Sequence, residues 1–257
     1  MDLSKTKTSV LSSLSTKKMR DKHGLFLAEG SKCVADTLGA FELDCLVAEQ
    51  DWICAHSDIV AECEGKVLTA SSASIKKISS LSTPPDVVAA FHLPCVASEA
   101  FVDSRLLYLV LDGIQDPGNL GTIIRTADWF GINTIFASRD TVDVFNPKTV
   151  QSTMGSLKRV SVVYTDLAQL LEKHREMPVY GTLLEGKNLF ETSLGSSGFI
   201  IMGNEGKGIS KTLRGMITRP LFIPPYDSRS HGESLNVAIA AAVTMAAFRG
   251  YGKIVEP

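Results

Sequence analysis

The chain has 257 residues, of which 44% are hydrophobic and 21% charged, a composition that suits one large globular domain or two smaller ones. The longest nearly apolar run, residues 238–248, is shorter than the roughly 18–20 residues that a membrane span needs. A formal net charge of −2 excludes a polycation. The first 20 residues lack the apolar core of a secretory signal, so we expect a cytoplasmic protein; their basic, serine-rich composition leaves a mitochondrial-type presequence as the alternative.

The opening segment is locally basic. Its only acidic residues are Asp2 and Asp21. Its basic residues are Lys5, Lys7, Lys17, Lys18, Arg20 and Lys22. A local basic patch can steer nucleic acid even when the total charge is near neutral, but charge alone favours a solvated tail.

The cysteines indicate neither a disulfide framework nor a zinc site. There are five, an odd number, and no CxxC pair occurs. They are Cys33, Cys45, Cys54, Cys63 and Cys95. We expect buried, inert thiols, because free cysteine usually packs as a small hydrophobe.

Residues 23–95 alternate short helices and strands and end at "TPPDVVAAFHLP". The prolines disfavour a continuing helix, and "DVVAAF" between them is typical of a last strand. The small and polar stretch that follows predicts a domain boundary near residues 95–105. We therefore predict a smaller α/β domain over residues 1–98 and a second domain over residues 99–257.

From residue 106 the pattern changes. "RLLYLVLDG" is a continuous apolar run, typical of a strand buried on both faces. In the helix that follows, Asn119 stands where a cap is expected and Gly131 where a terminator is expected. Pro147 suits the first turn of another helix, and "SLNVAIAAAVTMAAFRG" predicts a long last helix with Ser234 as its cap. Strand–helix alternation of this length predicts a mainly parallel sheet covered on both faces.

Three loops follow predicted strands, where ligands bind in such sheets: "DGIQDPGN", "GNEGKG" and "PPYDSRSHGE". Gly203 and Gly208 have P-loop spacing, but Ile209 stands where the lysine must be, and Glu205 would repel a phosphate. The few acidic and histidine residues, Asp227, His231 and Glu233 among them, have loose spacing, so we expect no metal. Glycines free of side chains allow close backbone approach to a flat ligand.

Taken together, "DPGNLGTIIRTADWFGI", "IMGNEGKGIS" and "FIPP…ESLNVAIAAA" resemble the three ordered motifs of the SpoU (TrmH) family of RNA ribose methyltransferases, of the SPOUT class. The likeness spans most of residues 106–250. It implies a C-terminal trefoil-knotted α/β domain with a parallel sheet. The stretches "KHGLFLAEGSKCVADTL" and "TPPDVVAAF" resemble the family's substrate-binding domain, which is similar to a ribosomal-protein RNA-binding fold.

The resemblance implies S-adenosylmethionine as methyl donor, an RNA 2′-hydroxyl as acceptor and a homodimer. By position, the catalytic and RNA-facing residues are Asn119, Arg125, Glu205, Ser234 and Asn236. The residues that line the donor pocket are Gly203, Ile223, Leu235 and Asn236. The link between Ile223 and Ser234 is longer than is common in the family.

The chemistry assigns roles within this group. A guanidinium rarely gives up its proton, so we expect Arg125 to clamp a neighbouring RNA phosphate and to stabilise charge that develops on the attacking oxygen. An ion pair with Asp128 is the alternative for Arg125. Glu205 would orient that arginine or take the proton.

The expected acceptor is large-subunit ribosomal RNA, with transfer RNA as the second choice. A non-catalytic RNA-binding or ribosome-assembly protein of the same fold and an enzyme that methylates a base nitrogen remain the rivals. Joint retention of the five catalytic candidates opposes the first rival, and the Asn–Arg motif opposes the second.

Overall fold

The computed structural model describes residues 2–94, 101–227 and 234–250. The chain divides into two compact units: residues 1–96 with 143–158, and residues 97–142 with 159–257. The predicted boundary between residues 98 and 99 lies outside the described residues and stays a prediction. Nothing in the sequence pattern indicated that residues 143–158 belong with the first unit.

The first unit contains a four-stranded mixed sheet in the order β1-β4-β2-β3. The strands are β1 (Leu25–Glu29), β2 (Leu43–Ala48), β3 (Val67–Thr69) and β4 (Val87–His92). The helices are α1 (Lys5–Ser13), α2 (Lys17–His23), α3 (Ser31–Thr37), α4 (Gln50–Ala55), α5 (Ser57–Glu62), α6 (Ser72–Ile78) and α8 (Pro147–Thr153). β4 pairs antiparallel with β1 and β2, whereas β2 and β3 are parallel.

The basic opening segment is folded, so the expectation of a solvated tail was wrong. Leu11 and Leu14 are fully buried and contact the apolar residues of the sheet. Arg20 is also buried, which removes it from the cations that could meet RNA. Its Nε and Nη2 donate to Asp143 Oδ2 (3.1 and 2.5 Å), and its Nη1 donates to the carbonyl of Leu14 (2.9 Å).

Residues 143–158 belong to the core of this unit. Pro147 begins α8, as predicted. The ring of Phe145 packs on that of Phe26 with centroids 4.7 Å apart, and Val150 is buried in the same cluster. The Arg20–Asp143 pair therefore fixes the start of a segment that apolar packing then holds in place.

Four of the five cysteines lie among the described residues, and all four are free thiols. Cys33, Cys45 and Cys63 are buried, and burial raises the pKa of Cys33 to about 11. Cys54 is exposed, so the expectation of a buried thiol was wrong there. Helix α4 buries Trp52 and turns position 54 toward solvent. Cys95 lies outside the described residues.

The second unit contains a six-stranded sheet in the order β10-β8-β9-β5-β6-β7, and every neighbouring pair is parallel. The strands are β5 (Leu107–Asp112), β6 (Thr134–Ala137), β7 (Ser161–Tyr164), β8 (Val179–Asn188), β9 (Gly198–Gly203) and β10 (Arg219–Phe222). The helices are α7 (Pro117–Trp129), α9 (Leu167–Lys173), α10 (Lys211–Arg214) and α11 (Val237–Phe248). The predicted parallel sheet is confirmed.

Both faces of this sheet are covered. Val110 and Ile201 pack in one cluster with Leu171 of α9 and Leu213 of α10. Their neighbours along the strands, which point to the opposite face, are fully buried as well. α11 packs against α7 and β9. Among the described residues, no helix is long and apolar enough to cross a membrane.

Candidate active site

The site begins where the central strands β5 and β9 end side by side, with Asp112 opposite Gly203. The loops that leave these two strands are bonded to each other. Asn204 Nδ2 donates to the carbonyl of Gly113 (2.6 Å), and the Ser210 backbone N–H donates to Asp112 Oδ2 (2.7 Å). Two of the three loops singled out in the sequence thus meet at the carboxyl edge of the sheet.

Glu205 is held at the tip of its loop by groups from the other strand end. Its Oε1 accepts from Asn119 Nδ2 (3.1 Å) and from the backbone N–H of Asp116 (3.2 Å). Its Oε2 accepts from the backbone N–H of Gln115 (3.2 Å). The carboxylate therefore has a fixed orientation although the side chain is exposed.

Asn236, the residue before α11, joins this pair. Its Nδ2 donates to Asn119 Oδ1 (3.0 Å), and its Oδ1 accepts from the backbone N–H groups of Ala238 (2.9 Å) and Ile239 (3.3 Å). The donors therefore run in one direction, from the start of α11 through Asn236 and Asn119 to Glu205. Each amide has both its oxygen and its nitrogen engaged, which fixes both side chains.

The two predicted helix caps were wrong, and at Asn119 the correction explains why the side chain can bond Glu205 and Asn236. Asp116 caps α7, its Oδ1 accepting from the Asn119 N–H (2.8 Å), and Pro117 takes the first helical position. α11 begins at Val237 with Asn236 as its cap, so Ser234 lies outside the helix. Gly131, predicted to end α7, does follow it with a positive φ of 66°.

The pKa of Glu205 is lowered. Partial burial by itself would raise it, but the hydrogen bonds from Asn119 and from the backbone N–H groups of Gln115 and Asp116 stabilise the charged form more strongly. Glu205 is therefore ionised at neutral pH and is a weak base.

Gly203 allows the loop after β9 to close. The backbone N–H of Asn204 donates to the Gly208 carbonyl (3.0 Å), and the Gly208 N–H donates back to Asn204 (2.9 Å). A Cβ on Gly203 would overlap the backbone of Gly208 and Ile209. Only glycine permits this closure of the loop on itself, whereas the expected approach of a flat ligand to the loop backbone stays a prediction.

Arg125 lies on α7, eight residues after its first residue and one turn before Trp129, with its side chain exposed. Within the described residues its guanidinium makes no hydrogen bond or ion pair. The alternative partner, Asp128, is bound by Arg159 Nη2 (2.6 Å). Arg125 is not bonded to Glu205, whose carboxylate holds Asn119 instead.

The remaining predicted residues follow β10 or precede α11. Ile223 is partly buried, Leu235 is half exposed and Ser234 is exposed. The described contacts do not join these three to the Glu205–Asn119–Asn236 chain, and their roles stay predictions. Residues 228–233, in the long link between them, lie outside the described residues, and so do His231 and Glu233. Among the described residues no cluster of three or more His, Cys, Asp or Glu side chains could hold a metal.

Several contributors were missed by sequence reasoning. Gln115 and Asp116 bind Glu205 through their backbone, Asn204 ties the two loops together, and Asp112 anchors Ser210. Asp116 carried a usable signal, because an Asp before a Pro at a helix start is a typical cap. A backbone contact leaves no signal in residue type, so the role of Gln115 could not be read.

A parallel sheet with a glycine loop, an ionised glutamate and two interlinked amides at its carboxyl edge defines an α/β protein whose candidate site lies where such sheets bind ligands. The chain belongs to the SpoU rRNA methylase family, whose model matches residues 106–246. Residues 6–89 match the MRM3-like substrate binding domain. These matches confirm the resemblance to the SpoU (TrmH) family and the assignment of the protein as an RNA methyltransferase.

Individual relatives agree. The 23S rRNA (guanosine(2553)-2′-O)-methyltransferase RlmP of Bacillus subtilis is 34% identical over 92% of this chain and 93% of its own. The structure of a putative TrmH-family RNA methyltransferase from Porphyromonas gingivalis superposes with a TM-score of 0.84 at 35% identity, covering 97% of this chain and 99% of that one. The structure of an AdoMet-bound rRNA methyltransferase from Sinorhizobium meliloti superposes with a TM-score of 0.82 at 28% identity, covering 98% of this chain and 97% of that one.

Proposed function

We propose that the protein transfers a methyl group from S-adenosylmethionine to a ribose 2′-hydroxyl of ribosomal RNA. The observation that carries the proposal is the hydrogen-bonded chain from Glu205 through Asn119 to Asn236. These residues come from three separate motifs of the resemblance, and they meet at the edge of the sheet where ligands bind.

The donor would be held by Gly203, Ile223, Leu235 and Asn236. The residues fit it in two respects: the loop that begins at Gly203 presents bare backbone, and the nearby charge of Glu205 is negative, which suits a cationic sulfonium and opposes a phosphate. When bound, the donor supplies an electrophilic methyl group. We expect no metal in the reaction.

Arg125 would act on the acceptor. Its guanidinium stays protonated and, within the described residues, has no partner, so it is available to clamp an RNA phosphate next to the reacting ribose. The same charge would stabilise the oxygen as it loses its proton. Both roles are consistent with an exposed side chain on α7, the helix that also carries Asn119.

Glu205, Asn119 and Asn236 would position the acceptor. Because its lowered pKa makes Glu205 a weak base, we propose that it orients Asn119 and does not take the proton. Ser234, exposed two residues before Asn236, would face the RNA. Most of the rate enhancement would then come from holding the 2′-oxygen in line with the methyl carbon.

The first unit would supply much of the RNA affinity. Lys5, Lys17, Lys18 and Lys22 are exposed on α1 and α2. Phosphate contacts of this kind give affinity without reading sequence. The RlmP relative, which matches nearly the whole chain, is named as a 23S rRNA enzyme, and this favours ribosomal over transfer RNA. We expect the reaction in the cytoplasm.

We also propose a homodimer through α7 and α11. Trp129, Leu235 and Ile239 expose 82%, 51% and 51% of their surfaces on or beside these two helices, which pack on each other. Exposed apolar side chains on two helices that pack together mark an interaction surface, and the small residues of α11 allow a second copy to approach closely. The trefoil knot stays a prediction.

The test is nucleoside analysis. The purified protein is incubated with methyl-labelled S-adenosylmethionine and ribosomal RNA from cells that lack the gene, and the product is digested for mass spectrometry. We expect one 2′-O-methylnucleoside, with guanosine the first acceptor to examine. Label on a base nitrogen, on transfer RNA alone, or on no RNA contradicts the proposal.

A further inference from the structure

A groove of about 460 Å³ opens at the carboxyl ends of β5, β6 and β7, on the side of the sheet covered by α9 and α10. Its polar lining includes Asp112, Ser138, Arg139, Asp166, Gln169 and Thr212. None of these residues belongs to the candidate catalytic group.

The groove shares its walls with the catalytic loops. Ser138 Oγ accepts from the backbone N–H of Gly113 (2.8 Å), at the start of the loop whose N–H groups bind Glu205. Gln115 Nε2 donates to the carbonyl of Asp140 (2.7 Å), and Asp112 anchors Ser210. A chain of RNA that enters the cleft therefore has a second depression within reach on the same edge of the sheet.

The groove carries charged side chains of both signs. Arg139 is exposed and has no hydrogen bond or ion pair among the described residues, so it can hold a phosphate. Asp112 and Asp166 would repel a phosphate placed beside them. They suit a base that presents N–H donors, because carboxylates accept from such groups.

Asp166 and Gln169 have atoms left for a ligand. Asp166 Oδ1 caps α9 by accepting from the Gln169 backbone N–H (3.0 Å). Its Oδ2, the side-chain amide of Gln169 and the hydroxyl of Thr212 make no hydrogen bond within residues 101–227 and 234–250. Three uncommitted polar groups around a depression with room for a nucleotide can read a base edge, as proteins do with unstacked RNA bases.

We propose that this groove is a second RNA subsite, which holds a nucleotide close in sequence to the methylated one: Arg139 binds its phosphate, and Asp166 and Gln169 select its base. The proposal rests on the proposed function, because it assigns part of the same RNA substrate.

Arg139→Ala tests the phosphate contact. We expect the KM for RNA to rise about tenfold, with kcat and the affinity for S-adenosylmethionine within twofold of wild type. The plot of log K against log salt for RNA binding should become shallower by about one unit of slope, the change expected when one phosphate contact is lost. Arg219→Ala, an exposed arginine at the amino end of β10, is the matched control and should change neither. An unchanged KM and salt slope in Arg139→Ala overturn the assignment of Arg139.

Asp166→Asn tests the base contact and keeps the helix cap, since Asn caps as well as Asp. Substrate RNAs carrying each of the four bases at the positions flanking the acceptor are compared. At one position, wild type should prefer a base with N–H donors by about tenfold, and Asp166→Asn should lose that preference. A preference that persists, or none in wild type, overturns the base contact. Absence of methyl transfer by wild type would instead contradict the proposed function, and equilibrium RNA binding of the Arg139 variant would still test the subsite.

Discussion

At the residue scale, the site is organised by one exposed carboxylate. Glu205 accepts hydrogen bonds from Asn119 and from two backbone N–H groups, and these bonds lower its pKa. Asn119 in turn is fixed by Asn236. An exposed side chain held at three points loses the freedom that usually makes surface carboxylates poor positioning groups.

Arg125→Ala should abolish methyl transfer and leave donor binding measurable. The guanidinium is expected to contact RNA and the developing oxyanion, so its loss removes transition-state stabilisation without touching the donor. Titration calorimetry with S-adenosylmethionine and turnover with RNA are the measurements, and Arg105→Ala, an exposed arginine, is the control. Donor affinity that collapses together with turnover would count against this role.

Glu205→Gln should lower kcat by about 10–100-fold. In the wild-type protein both carboxylate oxygens accept from N–H groups, and the amide NH2 of glutamine would face one or more of these donors without accepting. The pH profile separates the two roles of Glu205. Its folded pKa lies below the ordinary value of about 4.3, so the ionised form persists above that pH and is lost only as the pH falls through the lowered pKa.

Wild-type kcat should therefore show no ionisation of Glu205 between about pH 5.5 and 8. Glu172→Gln, on the exposed side of α9, is the control. An inflection near neutral pH that disappears in Glu205→Gln would make Glu205 the proton acceptor after all.

At the scale of elements, loop closure after β9 depends on the missing Cβ of Gly203. Gly203→Ala should open the loop and weaken S-adenosylmethionine binding by at least tenfold, as measured by calorimetry. Gly206→Ala in the same loop is the matched control: a Cβ there would have as its nearest neighbour Asn204 Oδ1 at 3.8 Å, an ordinary contact. Equal donor affinity in both variants would show that the closed loop is not needed.

The N-terminal helices are part of the fold of the first unit. Removing residues 1–22 would delete the buried Leu11 and Leu14, so a truncation cannot isolate a contribution to RNA binding. Neutralising the exposed lysines is the cleaner probe of that contribution.

Arg20→Ala should destabilise the protein by roughly 3–5 kcal/mol, because it removes the buried partner of the ion pair with Asp143 and the hydrogen bond to the buried Leu14 carbonyl. Lys17→Ala, which breaks an exposed pair with Asp21, should cost less than about 1 kcal/mol. Urea unfolding measures both. A loss in Arg20→Ala no larger than in Lys17→Ala would show that Asp143 is held by apolar packing alone.

At the scale of the whole molecule, α7 and α11 expose apolar side chains that we propose a second copy of the chain covers. Trp129, exposed by 82%, lies one helical turn beyond Arg125. A second copy on this face would cover Trp129 and Ile239 and exclude water near the reacting groups.

Trp129→Glu should convert the proposed homodimer to a monomer and reduce kcat, with sedimentation as the first measurement. The substitution is at an exposed position, so the fold should persist. Leu184→Glu, also exposed by 75% but on β8, is the matched control and should remain dimeric. A wild-type monomer, or a Trp129→Glu dimer, contradicts the proposed interface.

The sequence determined the parallel sheet, the family and two of the loops that meet at the candidate site, because continuous apolar runs, Gly and Pro positions and three ordered motifs are local patterns. It also predicted the use of Pro147 and Gly131 correctly. These signals lie in residue type and spacing, which are set before any tertiary contact forms.

The tertiary structure decided the rest. The caps predicted at Asn119 and Ser234 were wrong because another residue that can cap a helix lies within three positions of each. The helices start after Asp116 and Asn236, and residue type alone does not fix the first residue of a helix. The burial of Arg20 and the membership of residues 143–158 in the first unit depend on partners more than 100 residues apart. The contact of Glu205 with Asn119 likewise joins residues 86 positions apart. Such pairings leave no local trace, because each residue is compatible with solvent until the fold brings its partner to it.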